Sequence, residues 1–372
     1  MALCLPLINM IILVHKPNCM NNLKWCSFLL LSCFALSCSK SSDKTTTGTG
    51  GNTNPTGATY FANPLLTTGP DPWVVQSGDN YYFTSTTGNN ITIYQTPKMS
   101  QLGKAPSQVV WTPPATGDYK GDIWAPEIHQ LNDKWYVYFA ADNGNDTTHR
   151  IYVLESTDPT PETSKWTLKG KLTPTTDRWA IDPTILQYKN NLYCIWAGWQ
   201  GYNQPGIEQL YIAKMKDPYT IDGDRVLISQ PTYAWEKNGS AINEGPEILT
   251  NSNGNVFLIY SASSCFTDDY CLGMLSLKNG GDPMNPGDWT KSANPVFTKN
   301  TSGGAFGPGH CSFFVSKDAK ENWILYHANS FSGQGCGDTR SPRMQKFTFN
   351  LDGTPNFGSP VAIGNQPIPS GE

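Results

Sequence analysis

Asp182-Pro183-Thr184-Ile185-Leu186, followed after a short polar gap by Leu192-Tyr193-Cys194-Ile195-Trp196, is one copy of a phrase that occurs five times in the chain. Asp71-Pro72 leads into Trp73-Val74-Val75 and Tyr81-Tyr82-Phe83-Thr84, and Ala125-Pro126-Glu127-Ile128-His129 leads into Lys134-Trp135-Tyr136-Val137-Tyr138. Gly245-Pro246-Glu247-Ile248-Leu249 precedes Val256-Phe257-Leu258-Ile259-Tyr260, and a degenerate copy runs Gly307-Pro308-Gly309-His310 before Cys311-Ser312-Phe313-Phe314. Each copy is a turn signal followed by paired β-like runs, and the prolines recur at roughly 55 to 65 residues, a period typical of propellers and arrays. The fold class expected is all-β: a five-bladed β-propeller with a central active-site cavity.

Radial blades bring the same position of each innermost strand to one channel, so residues distant in sequence converge there. Three of the five equivalent positions are read as acidic: Asp71, Asp182, and Glu244 immediately before Gly245-Pro246. One acid before a proline marks only a turn, but three in register across separate repeats put carboxylates into one cleft. There they perturb each other's protonation, as acid/base chemistry requires.

Composition agrees. Aromatics at 12% against only 15% charged residues, with 34 glycines and 28 prolines, describe many short strands joined by tight turns. No long window has a helical period, which argues against a (β/α) barrel. A net charge of −4 without a basic patch excludes nucleic acid as the expected partner.

The first 38 residues read as an export signal, with translation expected to start at Met20: Asn21 to Lys24 is a basic n-region and Trp25 to Phe34 a short apolar run. Ala35-Leu36-Ser37-Cys38 resembles a bacterial lipoprotein box, so the protein is expected to be exported and lipid-anchored through Cys38, or otherwise periplasmic or secreted. Residues 39–59 form a Ser/Thr/Gly/Asn tether without packing residues, and residues 60–372 suffice for one propeller, expected to be a monomer. Of the ten cysteines, Cys194, Cys265, Cys271, Cys311 and Cys336 fall in this body. Cys265 and Cys271 could close a small loop and Cys311 could pair with Cys336, leaving Cys194 as a buried thiol. The odd count forbids complete bridging, and the spacings offer no metal tetrad.

In order and spacing, Gly69-Pro70-Asp71-Pro72, Asp122 to Glu127, Ile181-Asp182-Pro183, Glu244-Gly245-Pro246 and Gly309-His310 resemble glycoside hydrolase family 43, over the whole chain from about Tyr60. The resemblance implies an inverting mechanism, with Asp71 as general base, Glu244 as general acid, and Asp182 as the acid that keeps Glu244 protonated and in place. Inversion needs one carboxylic acid and one carboxylate on opposite sides of the scissile bond, which fits that division of roles. Period-2 alternation turns Glu247 away from the Glu244 face, whereas Glu127 is expected to contact substrate.

Trp73 and Trp124 are expected to stack on a sugar ring, with Trp73 equally readable as core. The resemblance further implies that Arg340 reaches sugar hydroxyls and that His310 sits beneath the site. No cofactor is required, although a structural calcium ion held by His310 through a water belongs to the same implication. The expected partner is a plant cell-wall polysaccharide or oligosaccharide, with a membrane contacted only through the lipid anchor. The motifs most resemble the branch of α-L-arabinofuranosidases that release single arabinose units from arabinan or arabinoxylan. Endo-α-1,5-L-arabinanase and β-xylosidase are the near alternatives, and a non-catalytic glycan-binding lipoprotein is the alternative outside enzymes.

Overall fold

The computed structural model describes residues 59–202 and 207–372. The signal, the lipid box at Cys38 and the tether as far as residue 58 lie outside the described residues. Each of the five sequence phrases opens the first strand of a four-stranded antiparallel unit. Those first strands are Trp73–Ser77, Gly121–Leu131, Ala180–Tyr188, Ala241–Thr250 and Phe306–Val315. Each touches the first strand of the next unit, and the fifth touches the first. That closes a ring with the first strands innermost, a five-bladed β-propeller as the repeats predict.

The blades adhere through apolar layers because each sheet has two faces to bury. Ile91 and Ile93 of blade one pack with Val137 and Phe139 of blade two, and Tyr138 and Val153 with Trp196 and Ala213 of blade three. Ile195 and Ile212 meet Leu258 and Leu275 of blade four, Phe257 and Ile259 meet Ile324 and Tyr326 of blade five, and Leu325 and Met344 return to Tyr81 and Phe83. Full burial of each such side chain contributes roughly 1.5–3 kcal/mol, so truncating one weakens a blade interface rather than a single blade. Closure is reinforced where Tyr60–Asn63 pairs antiparallel with Gly364–Pro367.

The repeated x-Pro has a structural meaning that periodicity alone does not reveal. All five residues before these prolines have left-handed backbone: Asp71 (φ 54°), Ala125 (42°), Asp182 (53°), Gly245 (50°) and Gly307 (55°). Asp and Gly tolerate that region better than other residues, and Ala125 is the costly exception. In blades two to five, the pairing of the inner strand shifts register at this point. The bulge re-aims the side chains around it, as bulges beside active sites commonly do.

Two expectations are corrected by this geometry. The position in blade four that matches Asp71 and Asp182 is Gly245, so Glu244 lies one residue earlier. A Cβ added at Gly245 would lie 3.0 Å from His310 Nδ1, a crowded contact that favours glycine there. Simple alternation also fails between Glu244 and Glu247, because the bulge intervenes. Glu247 is buried beside Glu127 of blade two, a proximity of non-neighbouring blades that only the channel allows.

The cysteine pairing is corrected as well. Cys265 is bonded to Cys336, 71 residues away, while Cys194, Cys271 and Cys311 are buried thiols. Cys271 and Cys311 lie inside strands whose side chains pack into the core, whereas Cys265 and Cys336 sit on loops of adjacent blades.

Candidate active site

A cavity of about 540 Å³ opens at the channel end where the five phrases meet, within the size range of small-molecule sites. Asp71, Asp182, Glu244, His310, Trp124 and Arg340 all line it, so six of the residues expected from sequence converge there.

Asp71 is the most tightly held. Its Oδ1 accepts a 2.9 Å hydrogen bond from Arg340 Nη1, and its Oδ2 accepts one of 2.7 Å from the Thr86 hydroxyl. Thr86 Oγ1 in turn accepts the Ala125 backbone N–H at 2.7 Å, tying blade one to blade two. The Asp71 N–H donates to His327 Nδ1 at 3.0 Å. That bond makes Nδ1 an acceptor, and burial with Arg340 nearby pushes the His327 pKa well down, so the ring is neutral and its 3.5 Å approach to Asp71 is not an ion pair. Burial resists ionisation of Asp71, but Arg340, and His310 at 3.4 Å, outweigh it and hold the carboxyl well below the usual carboxylate range. Asp71 is therefore a carboxylate.

Asp182 sits in the opposite electrostatic situation. Burial, supplemented by the neighbouring Glu244 charge, lifts its pKa to about 7 despite His310 and a 2.9 Å hydrogen bond from the Gly245 N–H. That bond anchors the backbone immediately after Glu244. Glu244 Oε1 accepts a 2.7 Å hydrogen bond from the Tyr270 hydroxyl, and the Tyr270 ring stacks parallel to His327 at 5.8 Å. One carboxylate and one carboxyl cluster thus face a common space from different blades, an arrangement able to activate water on one side and donate a proton on the other.

The aromatic wall only partly matches the sequence reading. Trp124 lines the cavity and stacks on His149 at 4.0 Å. Beside it stand Trp179 and Trp199, stacked at 4.5 Å and 11°, which sequence reasoning missed although Trp179 lies just before the Asp182 phrase. Trp73 is not part of the lining: its indole donates to the Ile128 carbonyl at 2.9 Å and packs on His129, the core alternative. Glu127 is likewise outside the lining, buried and 2.7 Å from His129 Nε2. Both follow the proline of their repeat, and at Glu127 a bulge turns the chain there.

Other groups missed were Thr86, Tyr270, His327 and Glu208. Each comes from a second or later strand, or from a loop, and carries no repeat signature. Among the described residues no group of three or more His, Cys, Asp or Glu side chains could hold a metal ion. A calcium ion held by His310 through a water needs no such group, and no chemical step below runs through an ion.

Residues 61–355 match the family model for glycosyl hydrolases family 43. The chain is 42% identical over 317 residues to an extracellular exo-α-(1→5)-L-arabinofuranosidase of Streptomyces avermitilis, covering 83% of this chain and 65% of that relative. It is 35% identical to α-L-arabinofuranosidase 43 of Humicola insolens, over 84% of this chain and 66% of the relative. The chain therefore spans just under two thirds of the length of both relatives. The crystal structure of an α-L-arabinofuranosidase from Lactobacillus brevis superposes with a TM-score of 0.77 at 34% identity, covering 82% of this chain and 98% of that one.

Proposed function

The chain belongs to glycosyl hydrolase family 43, and from that premise we propose that it is an inverting α-L-arabinofuranosidase that releases single arabinofuranose units from the ends or side branches of arabinan or arabinoxylan. The observation carrying this reading is that one cavity holds Asp71 ionised by Arg340 and faces it with Glu244, braced by Asp182 and Tyr270. Asp71 takes a proton from a water as that water attacks the anomeric carbon. The C–O bond breaks as Glu244 delivers its proton to the departing oxygen, which keeps the bonding electron pair. Asp182 holds the Glu244 backbone through Gly245, and when ionised it disfavours a second charge beside it. Trp124 offers an apolar face to the sugar, and Arg340, a fork of donors, reaches its hydroxyls while holding Asp71. The relatives named for arabinofuranosidase action support this substrate class.

An exo mode is supported by the way the rim is joined. The Cys265–Cys336 bridge lines the cavity, and beside it Asp268 accepts the Gly333 N–H at 2.9 Å and a bond from Ser332. These links fasten the loops of blades four and five together and narrow the rim on that side. Export and anchoring through Cys38 are proposed from the sequence, in keeping with the word extracellular in the name of the Streptomyces relative.

The test is hydrolysis of p-nitrophenyl α-L-arabinofuranoside and linear arabinan beside p-nitrophenyl β-xyloside, with Glu244→Gln as control. Arabinose as sole product, with inverted anomeric configuration by NMR and loss in the variant, is expected. A mixed oligosaccharide series would indicate endo action, and preference for the xyloside would overturn the substrate assignment.

A further inference from the structure

Glu208, at the start of the strand Ile207–Asp217, lines the cavity from blade three. It is placed there by a short parallel pairing with the inner strand of blade four, Glu208 opposite Ile242, two residues before Glu244. Its carboxyl lies beside that of Glu244 in the same cavity, and its Oε2 is buried without a hydrogen-bond partner. Two neighbouring buried carboxyls disfavour a double charge, so a proton resides on the pair. Glu244 already accepts from the Tyr270 hydroxyl, whereas no conventional donor serves Glu208 Oε2. Negative charge settles where donors are, so the shared proton belongs to Glu208.

We propose that Glu208 is a positioning residue for the acid step, a permanently neutral carboxylic acid whose O–H donates to Glu244 and strengthens as Glu244 becomes a carboxylate. This rests on the functional reading above. At rest both groups carry protons: Glu244 aims its own at the glycosidic oxygen while accepting from Tyr270 and Glu208. When that proton leaves, the two O–H donors face a full negative charge in an enclosed site, where such bonds are strongest. Glu208 keeps its proton throughout, and solvent reprotonates Glu244 after product departs. Burial, and next the Glu244 charge, push Glu208 well above the usual carboxylate range, with Asp182 and Asp146 acting in the same direction. Tyr270 and His310 are the remaining titratable neighbours around this acid group.

The experiment compares Glu208→Ala, Glu208→Leu and Glu208→Gln in kcat, KM and the pH profile on arabino-oligosaccharide and on p-nitrophenyl α-L-arabinofuranoside. Loss of a charge-assisted donor predicts a fall in kcat of about ten- to a hundredfold in Ala and Leu with KM little changed. The fall should be smaller on the nitrophenyl substrate, whose leaving group needs little protonation. The alkaline limb should move to higher pH, because a donor to the ionised form is gone, and Gln, which retains an N–H donor, should recover most of the lost kcat. A limb moving to lower pH would mean that Glu208 had been charged, and would overturn the proposal. So would unchanged kinetics in folded Ala or Leu, or a Gln variant as impaired as Ala. Infrared difference spectra of wild type against Glu208→Gln provide a readout independent of turnover: the carbonyl band of a protonated carboxylic acid should be present at neutral pH and lost in the variant. Its absence overturns the proposal even if no arabinofuranoside is hydrolysed, an outcome that would by itself sink only the functional reading.

Discussion

Arg340 Nη1 donates to Asp71 Oδ1 across 2.9 Å of space and 269 residues of sequence. The bond joins the fifth blade to the first, so the same contact that closes the ring at the cavity also ionises the proposed base. Replacing Arg340 with Met removes the cation, and the Asp71 pKa rises. The acid limb of kcat/KM should then move up by about one pH unit or more, with KM also raised by loss of the fork of donors. An acid limb that stays in place, measured across pH on the nitrophenyl arabinoside, would separate Arg340 from Asp71 ionisation.

Glu244→Ala should lower kcat/KM on arabinan by about 10²–10⁴, the usual worth of a general acid. The loss should be much smaller on an aryl arabinoside with an acidic leaving group. Equal losses on both substrates would assign Glu244 to binding instead.

Asp182→Asn tests the linkage between the site and stability. The folded-state pKa of about 7 lies above the unfolded value near 4. A raised carboxyl pKa means that the folded state holds the proton more tightly, so its stabilising effect is full at low pH and lost as pH rises between those values. Asparagine keeps an oxygen for the Gly245 N–H and never ionises. The variant should therefore melt several degrees higher than wild type at pH 8, show little gain at pH 4, and lose activity. A melting temperature unchanged at pH 8 would show that Asp182 is not held as a buried, strained charge.

Serine at Cys265 and Cys336 removes a bridge closing a 71-residue separation, for which chain entropy suggests about 4 kcal/mol as an upper figure. Because the bridge fastens the cavity rim, the double variant should lose both melting temperature and kcat/KM, and linear arabinan should begin to yield short oligosaccharides alongside arabinose. Chromatography of the products checks the last point. Arabinose alone from a folded double variant would place the exo restriction elsewhere.

Much of the site was legible because the repeat marks it. Asp71, Asp182, Glu244 and His310 all lie within the recurring phrases, and a propeller brings those phrases to one channel end. Reading side-chain direction from strand alternation failed at Glu247 and Glu127, because the left-handed residue before each proline sits at a bulge that period-2 counting cannot contain. The offset of Glu244 from the other two acids goes with crowding at Gly245 by His310, a residue from a different blade.

The sequence by itself determined the number of blades, the all-β class, the channel end that carries the carboxylates, and the family, because each depends on repetition and on residue types at fixed local positions. Only the tertiary structure decided that Trp179 and Trp199, rather than Trp73, flank Trp124, that Cys265 pairs with Cys336, and that Tyr270 and Glu208 surround Glu244. Most of these relationships join different blades, and Tyr270 reaches Glu244 from a loop of the same blade. They are set by how the sheets pack around the axis, a distance in space that no spacing along the chain encodes.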